Sequence, residues 1–112
     1  MRFDDYWRML TTELRTSRRI RNWTAVSGYL DRGDFDARYT DGDHIDCILE
    51  NGSVQKVPKD DSRIAYENRE GYIKGTIRRH QLRDQSRFTK YTISITHKIL
   101  MKVEYNPNSR AG

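Results

Sequence analysis

The first hydrophobic pattern along the chain is a helical stripe close to its start. Four apolar side chains recur at spacings of three and four residues, as on one face of an amphipathic helix: Phe3, Trp7, Leu10 and Leu14. The stripe predicts a helix over 4–17, with Asp4 as its cap and Asp5 favouring its positive end. The segment 18–26 is too charged for a buried strand and too β-branched for a helix, so we expect an extended connector there.

The middle of the chain alternates between apolar and polar residues, which is typical of strands with one buried face. The alternation covers 35–39 and then 45–49, with a turn between them. Asn51-Gly52 supplies the two positive-φ positions of a type I′ turn, and 54–57 forms the return strand. The pattern predicts a small antiparallel sheet over about 35–57.

A second helix is expected after Pro58, over 60–74, with Gly75 as its stop. One face of this helix is apolar except for a serine and an arginine, and it consists of Ser62, Ala65, Tyr66, Arg69, Tyr72 and Ile73. One hypothesis makes this face a subunit interface, in which Ser62 and Arg69 mark a surface while Tyr66, Tyr72 and Trp23 pack against a second copy.

The apolar residues of the last third fit two structures equally well. A helix over 86–100 has Ser86 as a plausible N-cap, whereas the β-branched run 92–96 favours a strand. The tail from 106 is expected to fray. The elements together predict one α+β domain over 1–112, a small hairpin-based antiparallel sheet packed against two or three helices.

The second half of the chain contains several short motifs. They are Val57-Pro58-Lys59-Asp60-Asp61, Tyr66-Glu67, Tyr72, Gly75, Arg78-Arg79 and Arg87-Phe88-Thr89-Lys90-Tyr91. This pattern resembles one in small uncharacterised bacterial proteins, some of them carried on mobile integron gene cassettes. The resemblance implies that the last segment is a helix, and it implies no catalytic residue. Positions equivalent to Ser62 and Arg69 are usually aromatic in those proteins, so this chain departs from the pattern there.

Composition excludes several classes of protein. The longest apolar runs are triplets, far short of the roughly 20 residues that a membrane helix needs, so we expect no membrane partner. The first ten residues carry two aspartates and no apolar signal segment, and the lone Cys47 has no disulfide partner, so we expect a cytoplasmic protein. Seven Tyr and two Trp predict an aromatic core, and the small size of the domain favours a homo-oligomer.

The net charge of +5 conceals an uneven distribution, because residues 1–30 and 62–112 are basic while 31–61 is acidic. Arginine guanidinium groups match phosphate oxygens, and aromatic rings close by can stack on unpaired bases. We therefore expect a non-enzymatic protein that contacts nucleic acid, DNA or RNA, through Arg15, Arg18, Arg19, Arg21, Trp23, Arg78, Arg79, Arg83, Arg87 and Lys90.

Two alternatives explain the same charges without nucleic acid. The charged runs can be ordinary solvated surface, or acidic and basic patches can dock two copies into a homo-oligomeric accessory protein. A third and weaker reading is a metal-dependent nuclease built on Asp41, Asp43, His44, Asp46 and Cys47, or a ribonuclease-like pair of His80 and His97. Turn aspartates usually bond their own backbone, and Cys47 alternates with apolar neighbours, so we expect no metal, no cofactor and no catalytic residue.

Overall fold

A computed structural model describes residues 2–23, 33–78, 81–82, 85–86 and 88–104, with 102–104 as helical backbone alone. Within these ranges the elements are α1 (Phe3–Glu13), β1 (Arg18–Ile20), β2 (Phe35–Arg38), β3 (His44–Ile48), β4 (Val54–Pro58), α2 (Lys59–Lys74) and α3 (Thr89–Glu104). The strands form one antiparallel sheet in the order β1-β2-β3-β4. The predicted α+β class is confirmed, and the predicted tail from 106 lies outside the described residues.

Helix α1 is shorter than its hydrophobic stripe suggests. It ends at Glu13 rather than at residue 17, because the chain must turn before its next residues join the sheet. The carbonyl oxygen of Leu14 accepts the Tyr39 N–H at 2.7 Å, which fixes that turn against the end of β2. At the other end, the Arg2 N–H donates to the carboxylate of Asp5 at 3.3 Å, so Asp4 lies inside the first turn and is not the cap.

Part of the expected connector over 18–26 is a strand. Residues 18–20 form β1 at the edge of the sheet, where Ile20 lies opposite Phe35. Only Ile20 of this strand is buried. The strand lies at the edge of the sheet, and this one apolar side chain joins it to the core. No alternation is detectable in so short a segment, and residues 24–26 lie outside the described part of the chain.

The β3–β4 hairpin is confirmed, but its turn differs from the predicted two-residue type I′ turn. The Leu49 N–H donates to the carbonyl oxygen of Ser53 at 2.8 Å, and the Gly52 N–H donates to the carbonyl oxygen of Leu49 at 2.9 Å. The turn therefore centres on Glu50 and Asn51, and Gly52 follows with a φ of 86°. This is the three-residue connection in which a glycine occupies the left-handed region after the turn. Ile48 consequently lies opposite Val54.

The two later helices are tied together at their starts. Helix α2 follows Pro58 directly and ends at Lys74, where Gly75 adopts a φ of 79°, as its sequence predicts. The last third is a helix, which resolves the ambiguity between helix and strand. Ser86 accepts the Phe88 N–H at 3.1 Å just before α3 begins, and its hydroxyl also donates to the carboxylate of Asp61 in the first turn of α2.

The core lies between one face of the sheet and helices α1 and α3. Six fully buried side chains project from the sheet: Ile20, Phe35, Ala37, Ile45, Cys47 and Val57. Aromatic rings contribute much of the rest, as the composition predicts, with Tyr6 stacked on Tyr66 at a centroid distance of 4.8 Å. Helix α2 covers the other side of α3 through a smaller cluster around Ala65 and Ile93. Helix α3 is thus enclosed from both sides.

The opposite face of the sheet carries polar side chains. Arg19, Asp36, Arg38, Asp46 and Lys56 share this face because side chains alternate along paired strands. Each is exposed or half-buried except Asp46, which neighbouring side chains cover. We call this surface the open sheet face. Among the described helices none combines the length and the apolar character that a bilayer crossing demands.

The buried hydrogen bond between Tyr6 and Thr96 yields a test of this packing. The Tyr6 hydroxyl donates to Thr96 at 3.0 Å, with both residues buried. Tyr6→Phe leaves the Thr96 hydroxyl without this partner, so we expect a loss of about 1 kcal/mol in the free energy of unfolding, measured by urea denaturation. The control is Tyr39→Phe, which removes an exposed hydrogen bond to Gly42 and should cost less than about 0.5 kcal/mol. Equal losses would contradict a special role for the buried pair.

Candidate functional site

An exposed tryptophan just beyond β1 is held rigidly by α3. The backbone N–H of Trp23 donates to the buried hydroxyl of Ser94 at 3.0 Å. Its indole stacks on the imidazole of His97, with ring centroids 3.5 Å apart and planes within 5°. Tyr72 of α2 approaches at 5.5 Å and an angle of 62°. Trp23 nevertheless remains 38% exposed, so the structure presents a fixed aromatic ring to solvent.

The space beneath this ring is too small for a ligand. Trp23, Arg69, Tyr72 and His97 line a space of about 10 Å³, together with apolar residues of α2 and α3. A volume of this size holds about one water molecule. Any ligand at this place must therefore lie on the outer surface of the indole.

The serine and the arginine that interrupt the apolar face of α2 lie against other residues of the same chain. Ser62 is only 4% exposed, so it contributes almost no surface to a contact with another copy. Burial raises the pKa of Tyr66, with a smaller contribution from Asp5, while the positive charge of Arg69 opposes the rise. Arg69 thus lies between the tyrosine cluster and the ring of Trp23, where aromatic and polar groups meet.

The first group of arginines divides between two surfaces. Arg19 lies on the open sheet face, where Asp36 at 3.6 Å and Glu50 at 3.0 Å neutralise it. Arg18 pairs with Glu13 at 3.8 Å on the other side of the strand. Arg15 is exposed in the turn after α1 and forms no ion pair with any described residue. Arg21 is exposed between β1 and Trp23. Arg15 and Arg21 are therefore exposed just before and just after β1.

Lys98 is a basic residue of this region that the sequence analysis missed. Its ammonium group donates to the carbonyl oxygen of Arg19 at 3.0 Å, which links α3 to the edge strand. Lys98 lines a groove of about 250 Å³ together with the Arg18–Glu13 ion pair and the apolar residues Leu14, Ile20 and Ile99. Only the isolated position of Lys98 beside His97 marks it in the sequence, and nothing there shows that α3 crosses β1.

The second group of basic residues is placed only in part. Arg78 is exposed and follows Ile77, which packs in the same small cluster as Tyr72. Lys90 is half-buried, with its ammonium group 5.3 Å from the ring centroid of Tyr91. The remaining predicted contacts, Arg79, Arg83 and Arg87, lie outside the described residues.

We define the basic face as the exposed residues Arg15, Arg21, Trp23, Arg78 and Lys98. Lys98 lines the groove together with Leu14, the residue before Arg15. Lys98 also follows His97, on which the indole stacks, and the indole contacts Tyr72 of α2. Through Trp23 the structure brings the end of the first basic segment next to helices α2 and α3.

The residues considered for a metal site do not converge. His44 Nε2 lies 3.5 Å from Asp46 Oδ1, and Arg38 lies 4.0 Å from the same carboxylate group. Cys47 points into the core on the opposite side of the strand. No three His, Cys, Asp or Glu side chains within the described ranges lie close enough together to hold a metal ion. His97 is stacked on Trp23, and His80 lies outside those ranges.

Comparison of the chain with protein-family models, with curated proteins and with solved structures finds no match. The resemblance to cassette-borne bacterial proteins therefore remains an expectation.

Burial of Cys47 predicts a thiol that does not react in the folded protein. Desolvation raises its pKa from 9.0 to about 12, with a further contribution from Asp46. We expect a thiol reagent to label Cys47 only after unfolding, because the thiolate is the reactive form. Below pH 9 the thiol is neutral in both states. As pH rises from 9 toward 12, the unfolded chain loses this proton first, so stability falls.

Cys47→Ala is the matched control for this prediction. The variant lacks the thiol, so its free energy of unfolding should fall less steeply above pH 9 than that of the wild type. Rapid labelling of the native protein, or identical alkaline profiles for the two proteins, would contradict the burial argument.

Proposed function

We propose that this protein binds nucleic acid through the basic face, with its cations on phosphates. The observation that carries the proposal is the exposed indole of Trp23, fixed on His97 between the two basic segments of the chain. Proteins that bind nucleic acid without sequence preference combine a positive surface with aromatic side chains. The proposed activity is binding, and no residue of the basic face is assigned a catalytic role.

The distribution of ion pairs supports this face over the open sheet face. On the open sheet face two of the three basic residues, Arg19 and Arg38, pair with Asp36, Asp46 and Glu50, and the third, Lys56, lies opposite Asp46 on the neighbouring strand. On the basic face, Arg15 and Arg78 have no carboxylate partner among the described residues. Phosphate groups are therefore attracted to the helical side of the sheet edge rather than to the sheet surface.

Self-association through the apolar face of α2 is the competing proposal, and the packing supports it less. Ser62 is buried, and Tyr66 stacks on Tyr6 within the chain. Two of the four residues predicted for that interface are therefore engaged inside the monomer. Tyr72 and Arg69 lie beside Trp23, where they favour the basic face.

Salt dependence tests the proposal directly. Four cations that each neutralise one phosphate predict that log K falls with log salt at a slope of about −2.8 on single strands and about −3.6 on duplex DNA. We expect this slope in fluorescence anisotropy titrations of labelled mixed-sequence oligonucleotides between 50 and 200 mM salt, roughly the range in which the effect is large. Absence of binding at the lowest salt concentration would refute the proposal.

Charge reversal locates the binding surface. Arg15→Glu and Arg78→Glu should each weaken oligonucleotide binding by about tenfold, because each removes a phosphate contact and adds a repulsive charge. The control is Lys56→Glu, which changes the net charge equally. Lys56 lies on β4, three strands or about 14 Å from β1. A loss of similar size for Lys56→Glu would show that net charge alone governs binding, and it would contradict the assignment of the basic face as the binding surface.

A further inference from the structure

We infer that the ligand of the basic face is a single strand, with one unpaired base stacked on the Trp23 indole, on the side away from His97. This inference rests on the proposed function and deepens it. It assigns a class of nucleic acid and a recognition element, neither of which follows from positive charge. The recognised group is the nucleobase ring, common to DNA and RNA.

The surfaces of the indole account for this assignment. One face is covered by the imidazole of His97 at 3.5 Å, a separation at which a further ring cannot enter between them. Tyr72 approaches the indole with its ring centroid 5.5 Å away and its plane inclined by 62°. Trp23 remains 38% exposed, and because His97 covers one face, a ring that stacks on the indole must do so on the other side. A flat aromatic ligand has this single face on which to stack.

The indole is ordered before any ligand arrives. The Trp23 N–H is bonded to the Ser94 hydroxyl, and Ser94 is 1% exposed, so this anchor is part of the core. The ring is also held by its stack on His97. Binding therefore loses little side-chain entropy, which otherwise costs about 0.5 to 1.5 kcal/mol for each immobilised side chain. An exposed ring fixed in this way is suited to a planar partner.

Duplex bases cannot use this face. In a duplex each base is stacked on both sides and offers only its edge in a groove, whereas a single strand can splay a base onto an aromatic side chain. The enclosed space beneath Trp23 is about 10 Å³, so a base flipped out of a duplex finds no pocket there either. Met101, one helical turn after His97 on the same side of α3, is a second exposed apolar side chain of this helix.

The closing experiment compares three labelled probes of equal phosphate number with the wild-type protein at one salt concentration. They are a single-stranded thymidine oligomer, an abasic oligomer of the same length, and a duplex. We expect the base-bearing single strand to bind about tenfold more tightly than the abasic oligomer, since one base stacked on an aromatic ring has an effect of that order. Tryptophan fluorescence should fall on binding, because the base stacks on the indole of Trp23. Trp23 is exposed, whereas Trp7 is buried and does not meet the ligand.

A variant pair gives an independent measurement. Trp23→Leu keeps apolar volume but removes the aromatic face, so it should lower affinity for the single strand about tenfold and leave affinity for the abasic oligomer unchanged. Val54→Ala, which trims an exposed apolar side chain on the open sheet face, should change neither affinity. Circular dichroism checks that both variants are folded, and the comparison of probes stands without them.

The outcomes separate this inference from the proposed function. Equal affinity for base-bearing and abasic strands, with the salt dependence intact, would overturn the stacked base while phosphate binding stands. Duplex binding as tight as single-strand binding would overturn it in the same way. Failure of all three probes to bind at low salt would overturn both proposals.

Discussion

The structure depends on a helix that is enclosed on nearly every side although many of its residues carry hydroxyl groups. Thr89, Thr92, Ser94 and Thr96 of α3 are each less than 4% exposed. Buried hydroxyls must find hydrogen-bond partners, and three of these four, Thr92, Ser94 and Thr96, have them. Thr96 accepts from Tyr6 of α1, Ser94 accepts from the backbone of Trp23, and Thr92 donates to the Phe88 carbonyl oxygen of its own helix. Helix α3 therefore fixes α1 and the segment after β1 through polar contacts, while Ile95 and Ile99 join the core beneath the sheet and Ile93 packs with α2.

The same helix explains why a surface tryptophan is ordered. Ser94 and His97 are three residues apart, so they lie on one face of α3 and hold the backbone and the ring of Trp23 together. Lys98 extends from the next position to the carbonyl oxygen of Arg19 and holds the edge strand against the helix. A short edge strand with one buried residue has little core area of its own. Its position, and that of the arginines around it, is consequently set by α3.

The elements that could be predicted from the sequence are those whose burial is periodic over many residues. The stripe of α1, the capped α2 and the β3–β4 hairpin all carry such patterns, and their predictions differ from the structure by a few residues or in turn type. The edge strand β1 could not be predicted, because three residues carry no period and their pairing depends on β2. Helix α3 was ambiguous because its β-branched run, which favours a strand, is tolerated once both sides of the helix are buried. Trp23 could be singled out from nearby arginines, but its stack on His97 spans 74 positions and follows only from the packed fold.

The antiparallel register also determines which acidic and basic side chains lie next to each other in this chain, whose net charge is +5. Residues 31–61 are acidic, and pairing of β1 with β2 brings Arg19 from the basic start of the chain beside Asp36. Arg38 and Asp46 then face each other across β2 and β3. The open sheet face pairs Asp36, Asp46 and Glu50 with Arg19 and Arg38. Arg15 in the α1–β1 turn and Arg78 after α2 have no carboxylate partner among the described residues. The register thus neutralises arginines within the sheet and leaves these two exposed, which is where we propose that phosphates bind.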